Sequence, residues 1–213
     1  MKFYIPPYIF GLWSGDKYWW GSSIGLTNTN IRLIKIFREF FKQLGFNKKR
    51  IKLSVYTKSG SGVNKQKLSQ LLQIPRNNIK TYKFKKGRKD YFIIYVNSRQ
   101  LKREFENRIE RLEKVVSNTN SLFQYIAGRF DSDGYYSPKR KEIRISYTTQ
   151  KEVERDGNLV SKMSRIRPRI KFEKQANTWN LELTGKKWIK FIQQVLRFSK
   201  RAAPLQSHRQ LVL

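Results

Sequence analysis

Two aspartates carry the chemistry of this sequence. Asp131, Ser132, Asp133 and Gly134 end the run 123–134, FQYIAGRFDSDG. Tyr125 to Phe130 is apolar apart from Arg129 and has helical spacing, so Asp133 is expected in the last helical turn. Gly134 is the residue expected to stop the helix. A carboxylate is disfavoured there, because the helix dipole is negative at that end. An acidic group in a costly position points to a cation nearby. The same design recurs near the N-terminus, where IFGLWSGDK (9–17) runs beside IAGRFDSDG (126–134). Gly11 matches Gly128, and Asp16 matches Asp133. Gly11 and Gly15, like Gly128 and Ser132, are small residues four apart on one helical face. Such a face lets a second helix approach backbone to backbone. Packing the two helices together would bring the two carboxylates close, and without compensating charge they would repel. Oxygen-only ligands favour Mg²⁺ or Mn²⁺ over zinc. Two such metals on adjacent phosphates activate water and stabilise leaving oxygens. That is phosphodiester hydrolysis with no covalent enzyme intermediate.

A single DSDG would read as a solvated turn, since Asp and Gly are turn formers. Two copies in matching contexts argue against that. A calcium loop also fails. Gly134 falls two places early, Tyr135 replaces a ligand and Pro138 interrupts.

The elements that must hold these residues can be read in order. In 18–30, Ile24 and Leu26 alternate with Ser23, Gly25, Thr27 and Thr29, a strand with one face of small polar residues. Asn30 reads as the N-cap of a helix whose apolar stripe runs from Ile31 to Leu44, ended by Gly45. A strand (50–58), a flexible SGSG break (59–62), a short helix (65–73) and two strands (79–86 and 90–97) follow. Lys86–Lys89 reads as a hairpin loop between those two strands. Ser98 caps a charged helix. Beyond Gly134, Ile143, Ile145 and Tyr147 alternate with Arg144, Ser146 and Thr148. A helix near 152–166, another strand pair and a last helix opened by Gly185 complete the order. The composition is α+β.

Charge bounds the partner. The 213 residues carry 46 Lys+Arg against 15 Asp+Glu, a formal net charge of +31. The excess is spread along the chain, and a field of that size predicts a polyanion, nucleic acid before an anionic membrane surface. There are no cysteines and one histidine, His208. Zinc fingers, thiol nucleophiles, disulfides and Ser-His-Asp triads are therefore excluded as readings. No signal peptide or membrane-length apolar run is found. A cytoplasmic or nucleoid-associated protein that does not engage a membrane is expected.

The two acidic stretches resemble the paired signature motifs of LAGLIDADG homing endonucleases, in the single-chain, two-repeat, intron-encoded form of archaeal type. Residues 126–134 match the signature. Residues 9–17 match it with Ser14 at the first acidic position and Lys17 at the final glycine. The resemblance implies two pseudo-symmetric αββαββα repeats joined through their signature helices, with antiparallel sheets forming a DNA-binding saddle. The repeats would span 1–114, with an extra segment near 46–78, and 122–213, joined by a linker at 115–121. It implies that Asp16 and Asp133 are catalytic and bind metal. By the same resemblance Gln150 and Asn28 organise the attacking water. Lys114 and Lys200 lie near the scissile phosphates, with Arg201 competing with Lys200. Since a β-ribbon fits the major groove, Ser23, Thr27, Arg144, Ser146, Thr148, Arg169 and Lys171 become candidates for base contacts. Other lysines would contact phosphate.

The implied activity is a monomer cutting both strands of a long, asymmetric duplex DNA site with Mg²⁺. Mn²⁺ would substitute, and Ca²⁺ would bind without supporting cleavage. Without recognisable flanking splicing blocks, a free-standing intron-encoded enzyme is expected. The rivals are a maturase of the same fold that binds intron RNA, and a DNA-binding regulator that has lost cleavage. Retention of both acidic positions favours the enzyme.

Overall fold

Pro7 opens the first helix, α1 (Pro7–Gly15), at a position where a missing N–H costs nothing. Its side chains from Tyr8 to Ser14 are all buried, as expected of a helix apolar on every side. The computed structural model describes residues 3–58, 63–84 and 90–201. The SGSG break, the Lys86–Lys89 loop and His208 lie outside the described residues.

After α1 come β1 (Lys17–Tyr18), β2 (Ser23–Asn28) and α2 (Ile31–Gln43). Next are β3 (Lys52–Thr57), α3 (Lys65–Leu72), β4 (Ile79–Lys83), β5 (Tyr91–Asn97), α4 (Arg99–Glu110) and α5 (Leu112–Val115). The remainder is α6 (Thr119–Asp133), β6 (Gly134–Ser137), β7 (Glu142–Tyr147), α7 (Gln150–Ser164), β8 (Arg169–Glu173), β9 (Thr178–Thr184) and α8 (Ile189–Phe198). Among the described residues, no helix is long and apolar enough to cross a membrane.

Two compact units divide these elements. One contains Asp16–Asn107. The other contains Ile5–Gly15 and the chain from Arg108 onward. By contact, then, α1 belongs with α6 and not with the strands that follow it.

In the first unit the sheet order is β1-β2-β5-β3-β4. Asn30 caps α2, its side chain accepting from the Arg32 N–H, and Gly45 follows α2 with φ 82. Buried Leu33, Ile34, Phe37, Phe40 and Phe41 give α2 its apolar face, which lies against β2 and β5. One expectation is corrected here. The strands either side of Lys86–Lys89 do not form a hairpin. β4 runs parallel to β3, while β5 lies antiparallel between β2 and β3. Parallel neighbours need a crossover, and the segment carrying α3 supplies it.

In the second unit the sheet is wholly antiparallel, in the order β6-β7-β9-β8. Ile143, Ile145 and Tyr147 are buried and Arg144 and Ser146 half-buried, as their alternation predicts. One glycine behaves otherwise than expected. Gly134 has φ −91, so it does not end α6 through a left-handed turn. A Cβ there would meet Phe130 Cδ2 at 2.2 Å, and close approach is what the position requires. Gly157 lies inside α7, which begins at Gln150 with Thr149 as its N-cap.

Candidate functional site

The acidic end of α6 is set by its contact with α1 inside the second unit. Asn118 and Ser121 form a reciprocal capping box that starts α6. Further along, the helices touch through backbone. A Cβ on Gly11 would stand 2.0 Å from the Tyr125 carbonyl oxygen, and one on Gly128 would stand 2.2 Å from that of Tyr8. Phe10 stacks on Tyr125 at 6.0 Å. One turn on, a Cβ on Gly15 would meet Ser132 Oγ at 1.8 Å and Asp133 Oδ2 at 2.7 Å. The glycine face thus runs up to the Asp133 carboxylate, and Asp16 is the residue that follows Gly15.

Asp133 keeps an exposed carboxylate. The surrounding protein nevertheless strips enough water to raise its carboxyl above the ordinary value, while Arg129 and Ser132 draw it back down. Arg129 is buried one turn earlier on α6. Its guanidinium lies 4.2 Å over the Tyr147 ring, and its Nε stands 3.4 Å from Asp156. Asp156 is 0 % exposed and accepts from the hydroxyls of Tyr125 and Tyr147 and from Arg155. Burial, reinforced by Asp156, pushes both phenols above their usual range, so they remain neutral donors. The result is a cation fixed beneath Asp133 by a paired interior network, which is how a buried charge is tolerated.

Asp131 has a different task. It is 1 % exposed and accepts from the Tyr8 hydroxyl at 2.6 Å, from Ser199 Oγ, and from the backbone N–H groups of Lys200 (2.6 Å) and Arg201 (3.2 Å). Burial raises its carboxyl, and these four donors oppose the rise. The first acidic residue of the motif therefore holds the chain beyond α8 and fixes the backbone from which the exposed Lys200 side chain projects. Ser14, at the matching position, donates locally, to the Phe10 carbonyl at 2.8 Å.

In the first unit, Asp16 and Asn28 are brought together. Asn28 Nδ2 donates to Asp16 Oδ2 at 2.5 Å, and Asn28 Oδ1 accepts from the Asn30 N–H. The Asp16 carbonyl accepts from the Thr27 N–H at 2.9 Å. Its proposed counterpart is placed otherwise. Gln150 is exposed at the start of α7, and its Nε2 donates to Glu154 Oε1 at 2.6 Å. It is Glu152 whose charge bears on Asp133. Lys114 is exposed on α5.

The two sheet faces left open by helices differ in chemistry. In the first unit that face carries Ser23 and Thr27, with the Ser23 hydroxyl donating to Asn97 Oδ1 at 2.9 Å. Strand register places Tyr18, Tyr95, Tyr91, Tyr56 and Tyr82 on the same face. Tyr56 stacks on Tyr91 at 4.6 Å and on Tyr82 at 4.9 Å, and Tyr18 lies 5.2 Å from Tyr95. Stacked flank to flank across the strands, the rings offer edges and hydroxyls outward. Sequence reading missed these tyrosines, and only the even spacing of Tyr91 and Tyr95 within β5 hinted at a shared face.

In the second unit the open face is ionic. Arg144 pairs with Glu142 at 3.1 Å and Glu182 at 3.4 Å, and Arg169 also reaches Glu182, at 3.8 Å. Lys171 pairs with Glu173 at 4.0 Å, and Ser146 donates to Asn180 Oδ1 at 3.0 Å. Thr148 lies exposed just past β7. The buried glutamates were also missed. They pre-orient the arginines, since a guanidinium tethered on one edge keeps its other edge in a fixed direction.

Among the described residues no group of three or more Asp, Glu, His or Cys gathers to cage a metal ion. Separate carboxylates of this kind fit Mg²⁺ or Mn²⁺, which bind through one or two carboxylates, with substrate phosphates and water completing the shell. Asp16 in the first unit and Asp133 in the second are each able to offer such an ion a carboxylate oxygen.

The architecture, α+β with glycine-packed acidic helices and strand-built open faces, is the LAGLIDADG fold. It is similar to mesophilic variants of the homing endonuclease I-DmoI, with TM-score 0.62 and 19% identity over 95% of this chain and 97% of that one. I-DmoI in complex with DNA and Mn gives TM-score 0.57 at 18% identity, over 89% and 94% of the two chains. The N-terminal LAGLIDADG domain of DUF199/WhiA gives 0.54 at 12% identity, over 89% and 79%. At such identities the likeness establishes the fold. No family model matches the sequence, and no curated protein does.

Proposed function

We propose that this protein is a site-specific, divalent-metal-dependent endonuclease that cuts both strands of a long, asymmetric DNA target, as a monomer in intron homing. The observation that carries this is the setting of the two aspartates. Each stands at the end of a glycine-faced helix with a companion, Asn28 hydrogen-bonded to Asp16 and the charge of Arg129 acting on Asp133. When bound, Mg²⁺ or Mn²⁺ would supply the Lewis acid and the activated water. The chain's own residues do the rest. Asn28 fixes the direction of the Asp16 carboxylate. Asn28, and Gln150 once released from Glu154, order the attacking water. Lys200, on backbone pinned by Asp131, and Lys114 offset charge developing on the phosphate. Ser23, Thr27, Arg144, Ser146, Thr148, Arg169 and Lys171 contact base edges. The test is a cleavage assay on duplex DNA that joins the sequences flanking the gene. Failure to cut that junction in Mg²⁺ or Mn²⁺ would overturn the enzyme reading.

The likeness to the WhiA domain supports a second reading, DNA binding without cleavage. It would be favoured by tight binding of the junction with no product. Tight binding of the surrounding intron RNA would instead favour a maturase.

Two expected results concern the lysines and the charge. Lys114→Met and Lys200→Met should slow cleavage by about 10²-fold and change duplex affinity far less. Equal losses in both quantities would mark them as ordinary backbone contacts. Duplex affinity itself should fall by about 10³-fold or more between roughly 50 and 200 mM salt, as expected for six or more neutralised phosphates. A nearly flat dependence in a filter-binding titration would remove the nucleic-acid partner altogether.

A further inference from the structure

The first unit contains a cavity of about 770 Å³ that the nuclease reading does not use. It forms where the C-terminal half of α2 meets the turn before β3 and the end of α3. No strand residue lines it, so it is separate from the tyrosine-bearing face. Its volume lies within the range of small-ligand sites, about 300–1,000 Å³.

The lining has two characters. Phe46, Ile51 and Ile74, all buried, give it an apolar wall. Arg38, Lys42 and Lys48 give it three positive charges, and no carboxylate lines it. Arg38 is the telling residue, being only 4 % exposed. One terminal nitrogen donates to Gln73 Oε1 at 2.7 Å, and the other meets the carboxylate of Glu39. That carboxylate is 42 % exposed. The Arg38 Nε–H has no acceptor among the described residues. A buried guanidinium normally has its charge and its donors answered. This one is answered in part, at the wall of a basic cavity.

We propose that this cavity binds a nucleotide, with its phosphate against Arg38, Lys42 and Lys48 and its base against Phe46, Ile51 and Ile74. An oxyanion supplies the acceptor that the Arg38 Nε–H lacks beside its ion pair with Glu39. The apolar wall and the volume, well beyond that of a phosphate, call for a flat apolar body attached to it. A free mononucleotide and the phosphorylated end of a nucleic-acid strand share this chemistry. The proposal stands whether or not the chain cuts DNA.

The test is calorimetric titration of the full chain. The probes are inorganic phosphate, the four nucleoside monophosphates, and a short single strand with and without its 5′-phosphate. The variants are Lys42→Glu/Lys48→Glu and, to control for diffuse charge in so basic a chain, Lys186→Glu/Lys187→Glu on the second unit. All four lysines are exposed, so folding is not at stake. At least one mononucleotide should bind more tightly than phosphate. The cavity pair should weaken it at least tenfold, and the control pair should leave it unchanged. If only the 5′-phosphorylated strand binds, with the same dependence on the cavity pair, the site takes strand ends. Absence of binding by every nucleotide probe, or equal loss in both pairs, would overturn the proposal.

Discussion

Asp16→Asn and Asp133→Asn, made singly, are each expected to stop cutting and to leave DNA binding intact. The substitution keeps the size of the side chain and removes one negative charge. At Asp133 the cation below, Arg129, keeps its own partner in Asp156, so the interior network survives the change. At Asp16 the amide can still meet Asn28 after reorienting. What is lost is an anionic oxygen for the metal. Lewis-acid stabilisation of a phosphoryl transition state amounts to several kcal/mol, so cleavage should fall by about three orders of magnitude. Affinity for duplex should hold or rise, because a charge that repels phosphate has gone. The measurement is product on a gel in Mg²⁺, beside a binding isotherm in Ca²⁺. Single mutants that cut both strands at the wild-type rate would place the active site elsewhere.

Gly128→Ala should be among the most damaging single methyls in the molecule's interior. Its Cβ would stand 2.2 Å from the Tyr8 carbonyl oxygen and 2.5 Å from the Leu12 nitrogen. Both are backbone atoms, so relief requires α1 and α6 to move apart and to release the layer between Phe10 and Tyr125. Overpacking costs about 1–3 kcal/mol where side chains can yield. Here they cannot, and about 3 kcal/mol or more is expected. Gly157→Ala is the contrast. Its nearest neighbour is the tip of Ile170, at 3.0 Å, and alanine is the better helix former by about 1 kcal/mol. In urea unfolding the midpoint of the first variant should fall well below that of wild type, and the midpoint of the second should change little or rise. A Gly128→Ala protein as stable as wild type would contradict backbone-to-backbone contact.

Much of this was legible in the sequence because it rests on periodicity and on paired motifs. The alternation in 143–147 gave the correct buried face, and the small-residue spacing at Gly11, Gly15, Gly128 and Ser132 gave the close helix contact. The parallel β3–β4 pair was not legible, since a lysine-rich loop between two strands looks the same whether or not the strands pair. The site was read less completely. Asp16 and Asn28 could be named from order along the chain. The roles of Asp131, Arg129 and Asp156 depend on donors far away in sequence, which spacing cannot reveal. Glu182 was hidden for the same reason: a glutamate in an alternating strand reads as solvated until the arginines of the neighbouring strands, Arg144 and Arg169, are seen beside it.

The membership of α1 in the second unit bears on how the protein is made. Tyr8 and its acceptor Asp131 are 123 positions apart. At synthesis rates of about 5–20 residues per second, roughly ten seconds separate their appearance. Through that interval a helix apolar on every side has left the ribosome before its docking surface exists. The nascent chain therefore carries an adhesive segment, α1, that a holdase can protect and that crowding can trap. For the same reason the chain does not divide at its repeat boundary into halves that mature separately. A C-terminal fragment would present the bare glycine face of α6, and a peptide spanning residues 5–15, added in trans, is what should complete it.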